Sequence, residues 1–315
     1  MFSAGLDFTF NLPLCSAVSA TTISPESTSL RLGVMWQPKH NWPYGQVMAD
    51  GDHLRMLVSM KERASIPEPT KRAVRQACGF GCVLCGYPIY DYDHIVPYAI
   101  AKEHSVENLC LLCGQHHAEK NRGLLPVEKV RQARLDPINK RTGVSEAQYI
   151  HYSGNRCVVR LGNYIATNDL PYMEGSYCAL VIANEKLIEF RIEDSHLLLS
   201  LAIKDADNQI LLLIIDNELI YKTDLWDLSF IGGRITIKDK QGSILAELAL
   251  KPPNEIIIER AIFWNKSYCI TVSSKGISDR YGNTTSGARS HNVKYGVVLN
   301  SRDEFWPSLA YYLSY

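Results

Sequence analysis

The sequence predicts an α+β protein: a small module rich in cysteine and histidine with helices at its flanks, followed by a mostly antiparallel β domain, sandwich or barrel-like. Three observations predict it. Five of the nine cysteines fall between Cys78 and Cys113. Helical patterns bracket that cluster, and from residue 148 onward the chain consists of β-branched and aliphatic runs separated by turn residues. At 315 residues there is room for roughly two domains of about 150 each.

Composition excludes several classes. Hydrophobic residues make up 46% and charged residues 21%, values of an ordinary globular chain rather than a disordered, collagen-like or coiled-coil one. The longest apolar run, Ile210 to Ile215, stops at Asp216, well short of the roughly 18 residues a membrane span needs. The N-terminus has no basic residue ahead of its apolar ones and no cleavage-site pattern, so a cytoplasmic protein with no membrane partner is expected. Net charge is zero, with 33 basic and 33 acidic residues. Residues 61–145 nevertheless hold 13 Lys and Arg against 9 Asp and Glu, whereas residues 146–315 hold 17 against 20. The middle is basic and the end acidic.

Residues 1–64 read as an N-terminal extension of short strands and loops, interrupted by Pro38, Pro43 and Gly45. The module spans 65–145. It opens with a short basic helix from Thr70 to Ala77, Thr70 being a candidate cap, and closes with a helix from Pro126 through Ala133. In the β domain, 148–315, the clearest strands are Leu201–Ile203, Ile210–Ile215, Arg234–Ile237, Ile244–Leu248 and Ile256–Ile258. Ile203-Lys204-Asp205 followed by Ile210-Leu211 recurs 34 residues later as Ile237-Lys238-Asp239 followed by Ile244-Leu245, which predicts two similar hairpins. Trp226 and Trp264 read first as core residues, and Tyr281–Gly287 as a mobile polar loop.

The chemistry lies between Cys82 and Lys120. Cys82 with Cys85, and Cys113 with His116, each have the two-residue gap that lets both members reach one tetrahedral ion, the spacing of a structural zinc site. Cys110 with Cys113 has the same gap, so Cys110 competes with His116 as the fourth ligand. Between the pairs lie groups that zinc does not need. Asp93 is a hard oxygen ligand suited to Mg2+ or Mn2+. His94 is a candidate general base, and strand alternation would point it away from Asp93. A lone histidine such as His104 reads as an ordinary hydrogen-bonded residue.

Taken in order, Cys82-x-x-Cys85, Asp93-His94-Ile95-Val96-Pro97, Asn108-Leu109 and Leu112-Cys113-x-x-His116-His117 resemble the HNH endonuclease family and its ββα-metal motif. The resemblance covers the module alone. It implies that His94 activates the attacking water, that Asp93 and His117 hold a catalytic Mg2+ or Mn2+ against the scissile phosphate, and that Asn108 braces the loop that orients His94. It also implies that Cys82, Cys85, Cys113 and His116 hold structural Zn2+, His116 standing where many members have a cysteine. Double-stranded DNA is the implied substrate, with Arg72, Arg75, Lys102, Lys120 and Arg122 as phosphate contacts. Cutting both strands from one site implies a dimer or two successive nicks. The pairing of a nuclease module with a second domain is similar to that of nucleases in bacterial restriction and antiphage defence, the β domain then regulating or targeting the cut, with or without a partner. The alternative is a catalytically silent zinc-stapled module that binds nucleic acid or protein under the control of a sensor domain.

Overall fold

The fold starts from a helix set by its punctuation. In the computed structural model, which describes residues 65–240, 242–300 and 309–313, α1 runs Glu68–Cys78. Pro67 precedes it and Pro69 sits in its first turn, where a missing N–H costs nothing. Thr70 is therefore inside the helix rather than its cap, and no side chain caps the N-terminus. Gly79, at φ 69, ends it. The predicted N-terminal extension, 1–64, lies outside the described residues.

A two-stranded antiparallel hairpin follows, β1 (Asp91–His94) and β2 (Leu109–Leu112), with Asp93 opposite Cys110 and His94 opposite Leu109. A short helix α2 (Tyr98–Ala101) lies in the connection. Then come α3 (Gly114–Asn121), α4 (Val127–Leu135) and α5 (Ile138–Thr142), the last two entered through Pro126 and Pro137. Every residue of β2 is buried. It forms the centre of a small core with Val74, Cys78, Val83, Ile95 and Val130.

Strands dominate the rest, giving a mixed protein of the broad α+β class. One sheet of eight strands runs, in spatial order, β20 (Leu309–Leu313), β19 (Tyr295–Leu299), β6 (Ser176–Ile182), β7 (Glu185–Glu193), β8 (His196–Lys204), β9 (Ile210–Ile215), β10 (Glu218–Tyr221) and β3 (Gln148–Tyr149). The second sheet runs β11 (Asp227–Ile231), β12 (Arg234–Lys238), β13 (Ile244–Lys251), β14 (Glu255–Asn265), β15 (Tyr268–Ser273), β16 (Gly276–Asp279) and β17 (Thr284–Thr285). From β14 it branches through β4 (Arg156–Leu161) to β5 (Tyr164–Asp169) and β18 (Arg289–His291). Pairing is mostly antiparallel, but β4 with β14, β18 with β5, and β19 with both β6 and β20 are parallel. Alternating burial along β4, β5 and β8 puts one face of each strand into a core that both sheets share.

The hairpins follow from turn chemistry. Ala183-Asn184, Asp194-Ser195, Asp216-Asn217 and Gly232-Gly233 all have positive φ at both positions and join strands whose flanking residues pair directly. That is the two-residue turn whose twist matches the strands. The predicted repeat is present as geometry. Register shifts at Ile203/Lys204 and again at Ile237/Lys238, and in each copy the Asp Oδ1 accepts from the backbone N–H four residues on, Asp205 from Gln209 and Asp239 from Ser243. A third copy, Ile277-Ser278-Asp279 to Asn283, makes the same bond. The segment read as a mobile loop is thus a hydrogen-bonded turn leading into β17. Trp226 is 37% exposed and Trp264 half-buried, so neither is core; in β14 the alternation gives the core side to Phe263.

Arg63–Tyr315 forms one compact unit, and the small core is tied to the large one by specific contacts. Phe80 belongs to the large core, and its carbonyl accepts from the Tyr221 hydroxyl at 2.6 Å. Arg75, 2% exposed, donates from Nε and Nη2 to both carboxylate oxygens of Asp227 at 2.8 and 2.9 Å. It also donates to Glu68 and to the Tyr92 hydroxyl. Burial opposes its charge, yet these bonds outweigh burial and raise its pKa. Arg75 is therefore corrected from phosphate contact to internal clamp: its guanidinium faces β11, not solvent. Arg72 also turns toward Asp227, at 3.5 Å.

Removing one partner of such a pair leaves a buried charge uncompensated. Asp227→Ala is expected to cost about 3–5 kcal/mol in urea unfolding, and the double change Arg75→Met with Asp227→Leu less than that. A single-variant loss under about 1 kcal/mol, the value of a surface pair, would show the clamp to be incidental.

Candidate functional site

Two clusters form from the turn before β1, the hairpin and the helix after it. The first is Cys82, Cys85, Cys113 and His116, whose ligand atoms all lie within 4.8 Å of one another. Cys82 Sγ and Cys113 Sγ each lie 3.3 Å from His116 Nδ1, and Cys85 Sγ lies 3.8 Å from Cys113 Sγ. Tetrahedral bonds of about 2.3 Å to sulfur put two sulfurs about 3.8 Å apart. The set can hold a metal ion and is compatible with zinc, through the Nδ1 atom of His116. Cys110 is excluded by its strand: opposite Asp93, its Sγ meets the Asp93 carbonyl at 3.7 Å, and burial raises its pKa.

The Cys82–Cys85 turn is shaped from outside. Asn139 of α5, 1% exposed, donates to the carbonyls of Gly79 and Gly86 at 3.0 and 3.1 Å. A Cβ at Gly81 would fall 2.4 Å from Asn139 Nδ2, and one at Gly86, where φ is +80, 2.2 Å from its Oδ1. Only glycine fits at these two positions. Thr223 then donates to the Asn139 carbonyl at 2.9 Å, which links the turn to the β sheets. The Cys85 thiol, with backbone N–H groups of Cys113, Cys85 and Leu84, lowers the pKa of Cys82, and the same contact raises that of Cys85.

The second cluster gathers Asp93, His94, His117 and Lys120 around an open cleft of about 490 Å³, a size typical of ligand sites. Adjacent residues on a helix project about 100° apart, so His116 reaches the sulfur cluster while His117 turns to Asp93, Nε2 to Oδ1 at 3.3 Å. Lys120, three residues on, lies on the same side and donates to Asp93 Oδ2 and the His94 carbonyl. Asp93 and His94 line the same cleft. There β1 ends at His94 and the chain bends at Ile95–Val96. Asn108 braces that bend: its Oδ1 accepts from the Val96 N–H at 2.8 Å and its Nδ2 donates to the Val96 carbonyl at 3.0 Å.

Three residues acquire roles here that the sequence gave no sign of. His104 Nδ1 lies 3.0 Å from His94 Nε2, with no motif spacing to mark it. Asn139 is an isolated residue far from the cysteines in sequence. Arg134 donates to the carbonyls of Leu109 and Val106, holding the entry to β2. Of the basic residues read as phosphate contacts, Lys102 and Arg122 are exposed, Arg72 is half-buried, and Lys120 is engaged by Asp93, its side chain 7% exposed. Among the described residues no helix is long and apolar enough to cross a membrane.

No family model matches the chain, and no curated protein or solved structure is significantly similar to it.

The metal centre makes a direct prediction. Cys85→Ser and His116→Ala should lower the metal content per chain, measured by elemental mass spectrometry on the purified protein, whereas Cys110→Ser should leave it unchanged. Loss in Cys110→Ser with retention in His116→Ala would reverse the ligand assignment.

Proposed function

We propose that this protein is a metal-dependent HNH-type endonuclease that hydrolyses phosphodiester bonds in double-stranded DNA. The observation that carries the reading is the convergence of Asp93, His94 and His117 on one cleft, beside a separate four-ligand cluster, with Asn108 clamping the bend that follows His94.

Phosphodiester hydrolysis needs a deprotonated water, neutralised phosphate charge and a stabilised leaving oxygen. His94 takes the proton from water as general base. Asp93 Oδ1 and His117 Nε2, 3.3 Å apart, fit neighbouring positions on an octahedral ion, whose bonds of about 2.1 Å place such ligands about 3.0 Å apart. Mg2+ or Mn2+, held by Asp93 and His117, would supply Lewis-acid charge to the phosphate and the leaving oxygen. Lys120 binds the other oxygen of Asp93, leaving Oδ1 as the one turned to His117, and adds positive charge at the cleft. Zinc held by the four-ligand cluster would take no part in the chemistry and would fix α3 against the hairpin, as structural metals do in modules too small for a sufficient core. Exposed Lys102 and Arg122 contact the DNA backbone, and the β sheets regulate or target the cut. A restriction or defence role rests on the architectural likeness alone.

One observation favours the alternative, a module that binds without cutting. The Lys120 ammonium already sits on Asp93 and the His94 carbonyl, where it balances the carboxylate without a metal ion.

Supercoiled plasmid separates the two. The full-length protein with Mg2+ or Mn2+ should nick or linearise it, chelator should stop the reaction, and His94→Ala should slow it by about 10²–10⁴-fold with zinc content and circular dichroism unchanged. Cleavage by His94→Ala at the parent rate would remove the base from the account. No cleavage with either ion would favour the binding module.

A further inference from the structure

We infer that His104 is a positioning residue for His94: it accepts a hydrogen bond from His94 Nε2 and so fixes the ring and the tautomer in which His94 can act as a base. This rests on the proposed hydrolysis and adds a residue to it.

The geometry begins with the backbone. Pro97 opens the single-turn helix α2, and Lys102 ends it in the left-handed region at φ 60, its N–H on the Tyr98 carbonyl. That reversal brings His104 back onto Tyr98. The two rings stack at 4.8 Å with an interplanar angle of 18°. His94 completes a three-ring contact, its centroid 5.4 Å from Tyr98 and 5.1 Å from His104. Within that contact His94 Nε2 and His104 Nδ1 are 3.0 Å apart, hydrogen-bond distance for two ring nitrogens.

Two neutral imidazoles at this distance must present one N–H and one lone pair. If His104 donates, the His94 lone pair on Nε2 is occupied and its proton sits on Nδ1, so neither nitrogen can receive a proton from water. If His94 donates, the lone pair sits on Nδ1. His94 then becomes an imidazolium on taking the proton, and its Nε2–H bond to neutral His104 becomes charge-assisted and stronger. A base in this cleft requires the second arrangement, with the His104 ring held for it by the Tyr98 stack. The pair parallels the outer partner that fixes the tautomer of a working histidine, supplied here by another imidazole.

Two substitutions in the full chain separate positioning from packing. His104→Phe keeps a ring to stack on Tyr98 and removes the acceptor. His104→Asn loses the ring but keeps an acceptor oxygen near the Nδ1 position. In plasmid cleavage, His104→Phe is expected to lower kcat by about 10–100-fold with KM little changed, and His104→Asn to recover most of that loss. In 15N-labelled protein, the His94 ring-nitrogen shifts should report a proton on Nε2 in the parent and a shift toward the other tautomer in His104→Phe. The assignment is overturned if the parent carries the His94 proton on Nδ1, or if His104→Phe keeps the parent tautomer or the parent rate. The tautomer measurement needs no turnover. An inactive parent would therefore count against the proposed hydrolysis, while the shifts would still decide the assignment of His104.

Discussion

The four-ligand cluster is the constraint on which the site depends. The small core around β2 has few apolar residues, and the hairpin it supports is only two four-residue strands. Such a unit is marginal on hydrophobic burial alone. Bringing Cys82 and Cys85 to Cys113 and His116 closes the chain across the hairpin and locks the first turn of α3 against it. Once that turn is fixed, the helical rotation from His116 to His117 delivers a second imidazole to Asp93, and Lys120 follows one turn later. One cluster thus sets the direction of groups that belong to the other. The sulfur-rich cluster stays apart from the open cleft that Asp93, His94 and His117 line.

The cleft is also joined to the β sheets through polar contacts in a buried setting. Arg75 binds Asp227 at the start of β11 and Tyr92 on β1, and Tyr92 lines the cleft. Asn139 binds the cysteine turn and receives Thr223. These bonds are geometrically demanding, so they fix orientation where the apolar contact of Phe80 supplies burial. Asp227 and Thr223 flank the Asp224–Trp226 segment, which lies beside the repeated turns at Asp205 and Asp239.

Much of the fold was legible because it obeys local rules. The aliphatic runs became strands where they were read, and the 34-residue echo became two hairpins with matching register shifts. The third copy was hidden because Ser278 replaces the lysine and the spacing changes to 40 residues. The parallel pairs of β4, β18 and β19 depend on long-range closure, which no local pattern encodes. At the site, residues bound by motif spacing were readable, including the cysteine and histidine ligands that the structure brings together. Residues that act through tertiary contact were not. Arg75 has the sequence context of an exposed basic helix, yet it faces inward because Asp227, 152 positions away, needs a partner. His104 and Asn139 carry no signal until the chain has folded around them.

The central claim is that Asp93 and His117 hold a divalent ion separate from the one held by the cysteines. Crystals of the full chain soaked in Mn2+ test it most directly, with anomalous scattering recorded at the manganese and zinc edges. The account predicts a zinc peak among Cys82, Cys85, Cys113 and His116, and a distinct manganese peak between Asp93 Oδ1 and His117 Nε2. A zinc peak alone, with no manganese between Asp93 Oδ1 and His117 Nε2 at saturating Mn2+, would contradict it.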